Sequence, residues 1–141
     1  MLVKTDKYQL TDNKERIKAH ISDVKKLLQQ SYWAKERTLE KIEKSIEGSL
    51  CFAFFDTESD KIVAFARVVT DFATMYYLCD VIVDDGHRGK GLGKMLVNRI
   101  ADEDERLKGL YGILLTSDAQ GLYSKYGFSE YQKSCMCKFW G

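Results

Sequence analysis

Residues 88–94 read Arg-Gly-Lys-Gly-Leu-Gly-Lys; the apolar run "MYYLCDVIVD" precedes them and a helix-like pattern follows. These residue types suit an anion. The first N–H groups of a helix lack intrahelical partners, and the macrodipole adds partial positive charge there. A phosphate at that end accepts those hydrogen bonds. Gly89, Gly91 and Gly93 remove the Cβ atoms that would keep a ligand off the backbone, and Arg88, Lys90 and Lys94 add cations beside the same spot. The stretch is built for a phosphate or pyrophosphate, against the plainer reading of a glycine-rich turn with solvated lysines.

Counting positions narrows the ligand. The nucleoside-triphosphate loop needs G-x-x-x-x-G-K-[ST]. Counted back from Gly93-Lys94, its first glycine falls on Arg88, and Met95 stands where the hydroxyl belongs. The dinucleotide fingerprint G-x-G-x-x-G also fails, because Gly89 and Gly91 would need a third glycine at Lys94. The loop also comes after three earlier strands and two helices, whereas that fingerprint occupies the first βα turn.

The elements that must position this loop can be read along the chain. "KYQLTD" is a short first strand. "SDVKKLLQQSYW" predicts a helix capped by Ser22, with Val24, Leu27, Leu28 and Tyr32 on one face. "TLEKIEKSIEGS" predicts a second, capped by Thr38, striped by Leu39, Ile42 and Ile46, and ended by Gly48. "SLCFAFFD" and "KIVAFARVVTD", joined by the turn "TESD", form an antiparallel hairpin, and "MYYLCDVIVD" is the next strand. The helix after the glycine loop places Met95, Leu96, Arg99, Ile100 and Leu107 at near-helical spacing. "LYGILLTS" then reads as a buried strand, "AQGLYSKYG" as a short helix ended by Gly127, and "FSEYQKSCMCKFW" as a terminal strand or hairpin. Residues 76–117 thus make a βαβ unit, which implies a parallel strand pair.

The 141 residues suit one domain spanning 1–141, and 45% hydrophobic with 30% charged residues is an ordinary globular mix. A net charge of +1 gives no footprint for nucleic acid, so any anion site is local. No apolar run approaches the roughly 20 residues of a membrane helix, and the N-terminus lacks the apolar centre of a secretory signal. Cys51 and Cys79 lie in apolar runs as core filler, and the C-x-C of Cys135 and Cys137 lacks a second Cys/His pair, so no metal is expected. Reduced thiols and a cytoplasmic location are the expectation. Oligomeric state is open, although the terminal "CMCKFW" could pair at a sheet edge.

What fits the loop is Arg88-x-x-Gly91-x-Gly93, and "GLYSKYGF" at residues 121–128 follows one helix and one strand later. Together these resemble the GCN5-related N-acetyltransferases (GNAT), whose pyrophosphate loop reads [R/Q]-x-x-G-x-[G/A] and whose later motif sets a tyrosine on a short helix before Gly-Phe. The order of strands and helices matches over essentially the whole chain. The resemblance implies a mixed α/β fold: a twisted sheet of about six to seven strands flanked by about four helices. It implies acetyl-coenzyme A as co-substrate, with Arg88, Gly89, Lys90, Gly91, Leu92, Gly93 and Lys94 around its pyrophosphate. Val81, Ile82 and Val83 would pair through their main chain with the pantetheine arm, beside fourth and fifth strands that splay apart.

By the same resemblance Tyr123 protonates the departing thiolate, a transfer of modest cost between groups of pKa about 10 and 8.5. The alternative makes Tyr123 a packing residue, although Tyr126 is the better core aromatic. Asp80, an acid within "YYLCDVIV", is either the general base or the partner of Arg67 on the neighbouring strand. Strand alternation puts Asp80 and Ile82 on one face and Cys79, Val81 and Val83 on the other. The acceptor side falls to the first two helices and their connection. There Tyr32, Trp33 and Glu36 either line a lid, with Glu36 drawing a cationic amine, or simply staple the helices. Asp71, Phe72 and Thr74 could edge the same cleft, while His20 and His87 read as surface groups. The implied activity is transfer of an acetyl group to a primary amine, with a small-molecule acceptor favoured. A non-catalytic coenzyme A-binding module and a transferase of longer acyl groups remain as alternatives.

Overall fold

Strands β1 (Tyr8–Thr11), β2 (Leu50–Asp56), β3 (Lys61–Thr70), β4 (Met75–Val83) and β5 (Tyr111–Leu114) lie side by side in chain order. The computed structural model that contains them describes residues 7–131 and 134–138. Neighbours from β1 to β4 run antiparallel, and β5 joins β4 in parallel after a helical crossover. β2 and β3 read as near-continuous apolar runs because both of their faces are covered. On one face, helices α1 (Lys14–Ala19), α2 (Ile21–Leu28) and α3 (Leu39–Glu47) bury Ile17, Val24, Leu27, Ile42 and Ile46 against Phe55, Phe65 and Ile82. On the other, α4 (Leu92–Asn98) buries Leu92 and Leu96 against Phe52, Phe54, Val68 and Leu78. A fifth helix, α5 (Gln120–Ser124), follows β5. Among the described residues no helix is long and apolar enough to cross a membrane.

The architecture is the expected mixed α/β one, with differences that have local causes. The sheet has five strands among the described residues rather than six to seven, and there are five α-helices rather than about four. Residues 134–138 of the expected terminal strand carry no strand, and its remaining positions lie partly outside the described residues. The first helical segment starts earlier than Ser22. Asn13 caps α1 by accepting from the Arg16 N–H at 2.9 Å, and Ser22 lies inside α2. α2 ends at Leu28 because the buried Ser31 hydroxyl takes the Leu28 carbonyl at 2.7 Å and accepts from the Ala34 N–H at 3.1 Å, turning the chain through residues 29–36. Thr38 and Gly48 bound α3 as expected, but Leu39 is 45% exposed and outside its apolar stripe. After Asn98 the helix widens into a π-turn, Arg99–Glu103, stopped at Asp104, whose carboxylate accepts from Arg106. β5 is not a buried strand: Tyr111 is 82% exposed and Ile113, on the same face, is exposed too. Gly112 lets it approach β4 closely, because a Cβ there would sit 2.6 Å from the Tyr76 hydroxyl.

β4 carries the irregularity that matters most for the site. Phe65 pairs with Ile82 and Arg67 with Cys79, so Ala66 alone faces both Asp80 and Val81. Asp80 is the extra residue of a β-bulge and holds φ +53. Expected alternation therefore breaks: Cys79, opposite Arg67, shares a face with Asp80 and Ile82, while Val81 and Val83 pack on the α4 side. β4 and β5 pair only from Met75 to Leu78 and from Tyr111 to Leu114, and part beyond the bulge.

Leu96→Ala, in the fully buried α4 core, should cost about 2–5 kcal/mol. Leu39→Ala should stay within about 0.5 kcal/mol of wild type. Urea midpoints would decide, and equal losses would refute this placement of the core.

Candidate active site

The glycine loop is fastened before it reaches its helix. The Asp84 N–H donates to the Val63 carbonyl at 2.8 Å, ending β4 against β3. Gln30, just past α2, donates to the Asp84 carboxylate at 2.9 Å and accepts from the Asp85 N–H at 3.0 Å. A single 3₁₀ turn, Asp85–His87, carries His87 to the Tyr8 hydroxyl at 2.7 Å, so His87 is a half-buried tie to β1 rather than a free surface group. His20 likewise packs edge-on against Phe55 at 4.8 Å between ring centres. Gly89 and Gly91 then take φ +79 and +81, which side-chain-bearing residues rarely adopt. Gly91 caps α4, whose first intrahelical bond runs from the Met95 N–H to the Gly91 carbonyl at 3.0 Å. The N–H groups of Leu92, Gly93 and Lys94 thus have no acceptor within the helix. Arg88 stands beside them, paired with Asp85 at 3.2 Å, and Lys90 and Lys94 are exposed.

The parting of β4 and β5 opens a cleft of about 1250 Å³ that runs from this loop to the turns after α2. Val81, Ile82, Val83, Arg88, Gly89, Gly91, Leu92, Gly93 and Lys94 all line it, as does Tyr123; Lys90 does not. Tyr123 packs edge-on against Phe128 with ring centres 6.1 Å apart. Burial, then the nearby Asp118, pushes its phenol up from the ordinary tyrosine range, so it keeps its proton at neutral pH. Tyr123, not Tyr126, joins the core; the Tyr126 hydroxyl reaches the Lys94 carbonyl at 3.3 Å and ties α5 to the start of α4.

At the other end Asp80 gathers three donors. Arg37 Nη1 reaches Asp80 Oδ2 at 2.7 Å, Arg67 Nε reaches the same oxygen at 2.9 Å, and Trp33 Nε1 reaches Oδ1 at 3.1 Å. Arg67 also donates to the Ser49 hydroxyl at 3.0 Å. Burial raises the Asp80 carboxyl, but the hydrogen bonds and charges of Arg37 and Arg67 outweigh it and hold the group below the usual carboxylate range. Tyr32 stacks edge-on with Trp33 at 5.1 Å and hydrogen-bonds Ser117 across the cleft.

Glu36 is exposed and outside the cleft, and its neighbour Arg37 lines the wall instead. The signal for such a residue was Asp80 itself, an acid in an apolar strand that needed cations; nothing in the spacing singled out Arg37. Asp71, Phe72 and Thr74 also lie outside the cleft, with Asp71 turned onto the amides of Ala73 and Thr74 at 2.9 and 2.8 Å. Cys79 lines the cleft, and burial pushes its thiol up to about 11. The sulfurs of Cys135 and Cys137 lie 3.9 Å apart. Among the described residues no three His, Cys, Asp or Glu are grouped to hold a metal ion.

Comparison with known proteins places this geometry. The model of the GNAT acetyltransferase domain matches residues 47–130. The structure of a GNAT-family protein from Xanthomonas campestris pv. campestris is similar at TM-score 0.85 and 35% identity, over 96% of this chain and 95% of that one. An uncharacterized N-acetyltransferase, ycf52, from Gracilaria tenuistipitata var. liui is 29% identical over 126 residues, 86% of this chain and 68% of its own length. A glucosamine 6-phosphate N-acetyltransferase from Trypanosoma brucei brucei is 41% identical over 56 residues, 38% of this chain and 37% of its own. With a glycine cradle at the head of α4 and two strands parted beside it, the chain belongs to the GNAT family of acetyltransferases.

Proposed function

We propose that this chain moves an acetyl group from acetyl-coenzyme A to a primary amine of a small molecule, by direct attack and without a covalent acyl-enzyme. The observation that carries this reading is the joining, in one cleft, of an anion cradle, a strand edge unpaired among the described residues and a half-buried phenol. The residues present fit the co-substrate. The amides of Leu92, Gly93 and Lys94 lack helical acceptors, and two left-handed glycines keep side chains out of the approach, as a pyrophosphate requires. Residues 79–83 keep a main-chain edge with no strand beside it among the described residues, which suits the amides of a pantetheine arm and leaves a donor for a thioester oxygen.

Acetyl-coenzyme A supplies the acetyl group already activated as a thioester. Tyr123 holds a proton at neutral pH and gives it to the departing sulfur. The proton that the attacking amine loses passes to solvent in the open cleft, from which the phenol is reprotonated. Asp80 fits positioning better than proton abstraction, because two guanidinium groups keep it ionised and weakly basic. The Cys79 thiol, with a pKa of about 11, stays protonated, which argues against an acyl-cysteine route. A relative that acts on glucosamine 6-phosphate supports a small amine as acceptor.

The direct test is the thermal midpoint with acetyl-coenzyme A, coenzyme A, ATP and NAD in parallel. At about 100 times its Kd a ligand adds roughly 2.7 kcal/mol, a rise of about 5–10 °C for a domain of this size. A rise with the coenzyme A pair alone is expected; a rise with ATP or NAD alone would overturn the reading. Tyr123→Phe should lower kcat by about 10²-fold or more while leaving coenzyme A affinity within about threefold. Unchanged turnover across pH would remove the acid role.

Asp80→Asn tests positioning. Asn tolerates the left-handed backbone, so the change removes charge without disturbing the bulge. Two partly buried guanidinium groups would lose their counter-charge, at a cost of about 3–5 kcal/mol near neutral pH. The folded pKa of Asp80 lies below the unfolded value of about 3.9, so its stabilisation is complete above that pH and fades as pH falls through the folded value. The stability gap between wild type and D80N should therefore shrink in acid. A gap that is constant from pH 7 to about pH 2 would show that the charge of Asp80 does not matter.

A further inference from the structure

We propose that the acceptor amine carries a small anionic group, a carboxylate or phosphate monoester, and that Arg37 binds it. This rests on the acetyl-transfer reading above and names the class of substrate. Arg37 and Arg67 both spend one donor on the same Asp80 oxygen, so one negative charge faces two positive ones. Arg67 places a second donor on Ser49, whereas Nε and Nη2 of Arg37 make no hydrogen bond among the described residues. The Arg37 side chain lines the cleft and is only 20% exposed. A guanidinium held with little water around it favours an anionic partner, and its planar fork matches carboxylate and phosphate oxygens.

This excess positive charge is separate from the pyrophosphate cradle. Asp80 lies three residues before the end of β4, roughly 10 Å at the usual rise of a strand, while Arg88 and Lys94 stand beyond that end. Charge on the acceptor side also argues against a polyamine. Among the described residues the cleft is lined by two carboxylates, Asp80 and Asp118. Asp80 is taken up by guanidinium groups, and Asp118 belongs to the opposite wall, beside Tyr123. Glu36, which a cationic acceptor would need, is outside the cleft. The rings of Tyr32 and Trp33 form the apolar wall next to Arg37, so the ligand they suit is a short carbon skeleton with an amine at one end and an anion at the other.

The experiment compares matched amines on the protein loaded with acetyl-coenzyme A for turnover, or with coenzyme A for calorimetry. The pairs are O-phosphoethanolamine against ethanolamine and β-alanine against β-alaninamide, with spermidine as the cationic probe. The expected result is that the member bearing the anionic group in at least one pair binds or turns over tenfold or more better than its partner without it, and better than spermidine. The phosphate and carboxylate pairs tell which anion is preferred. Arg37→Lys keeps a positive charge but loses the fork, and should cut that preference to about threefold or less, through KM rather than kcat. Arg37→Gln should abolish it. Preference for the members lacking the anionic group or for spermidine, equal behaviour of all probes, or a preference untouched in both variants would overturn the proposal. Calorimetry of acetyl-coenzyme A alone separates the two levels: if it binds while the anion preference fails, only this inference falls, and if it does not bind, the acetyl-transfer reading falls too.

Discussion

A strand that gains a single residue loses its register, and in this chain that residue is Asp80. Its left-handed backbone costs energy that a regular strand would avoid, yet it lets β4 bend away from β5 after four paired positions. The consequences follow in order. The unpaired edge of residues 79–83 becomes one wall of the cleft, the phase of β4 shifts so that Val81 and Val83 pack toward α4, and Asp80 turns into the same layer as Cys79 and Arg67. Without Asp80, Val81 would face Ala66 alone and β4 could run on beside β5. The site therefore depends on where the sheet stops being regular.

Burying a carboxylate there needs compensation, and the chain supplies it from two distant segments: Arg67 from β3, and Trp33 and Arg37 from the turns between α2 and α3. Two cations on one anion are more than neutralisation requires. They also connect the helical layer to the sheet at the point where the sheet is weakest. The turns that carry Trp33 and Arg37 are held from the other side by Ser31, which closes α2, and by Lys25, which donates to the Arg37 carbonyl at 3.0 Å. The bulge, the ion pairs and the turn thus support one another, and loss of any one exposes charge that the others had screened.

The legibility of the sequence follows the range of the interactions. The hairpin of β2 and β3, the caps at Thr38 and Gly48 and the parallel β4–β5 pair rest on local pattern or on connection rules, and they could be read directly. The backbone of the glycine loop was legible for the same reason: it is made of main chain, and alternating glycines advertise it. What could not be read depends on contacts between distant residues. The earlier start of α1 hinges on Asn13, a cap that precedes a weakly patterned segment. The π-turn after Asn98 hinges on the ion pairs of Asp104 with Arg99 and Arg106. Arg37 rather than Glu36 enters the cleft because of the turn geometry set by Ser31, which no periodicity encodes.

On the proposed reading the two ends of the cleft would recognise their ligands by different physics. Main-chain amides at the head of α4 bind any group with the right charge and reach, and their affinity depends little on side-chain identity. At the Asp80 end, recognition belongs to side chains whose charges are already partly balanced, so one substitution alters both the sign and the shape of what is accepted. A family can keep the first end while changing the second, which is how one fold comes to serve many acceptors. In this chain the second end carries net positive charge next to aromatic rings, and on the proposed reading that balance, rather than the fold, would decide which amines it takes.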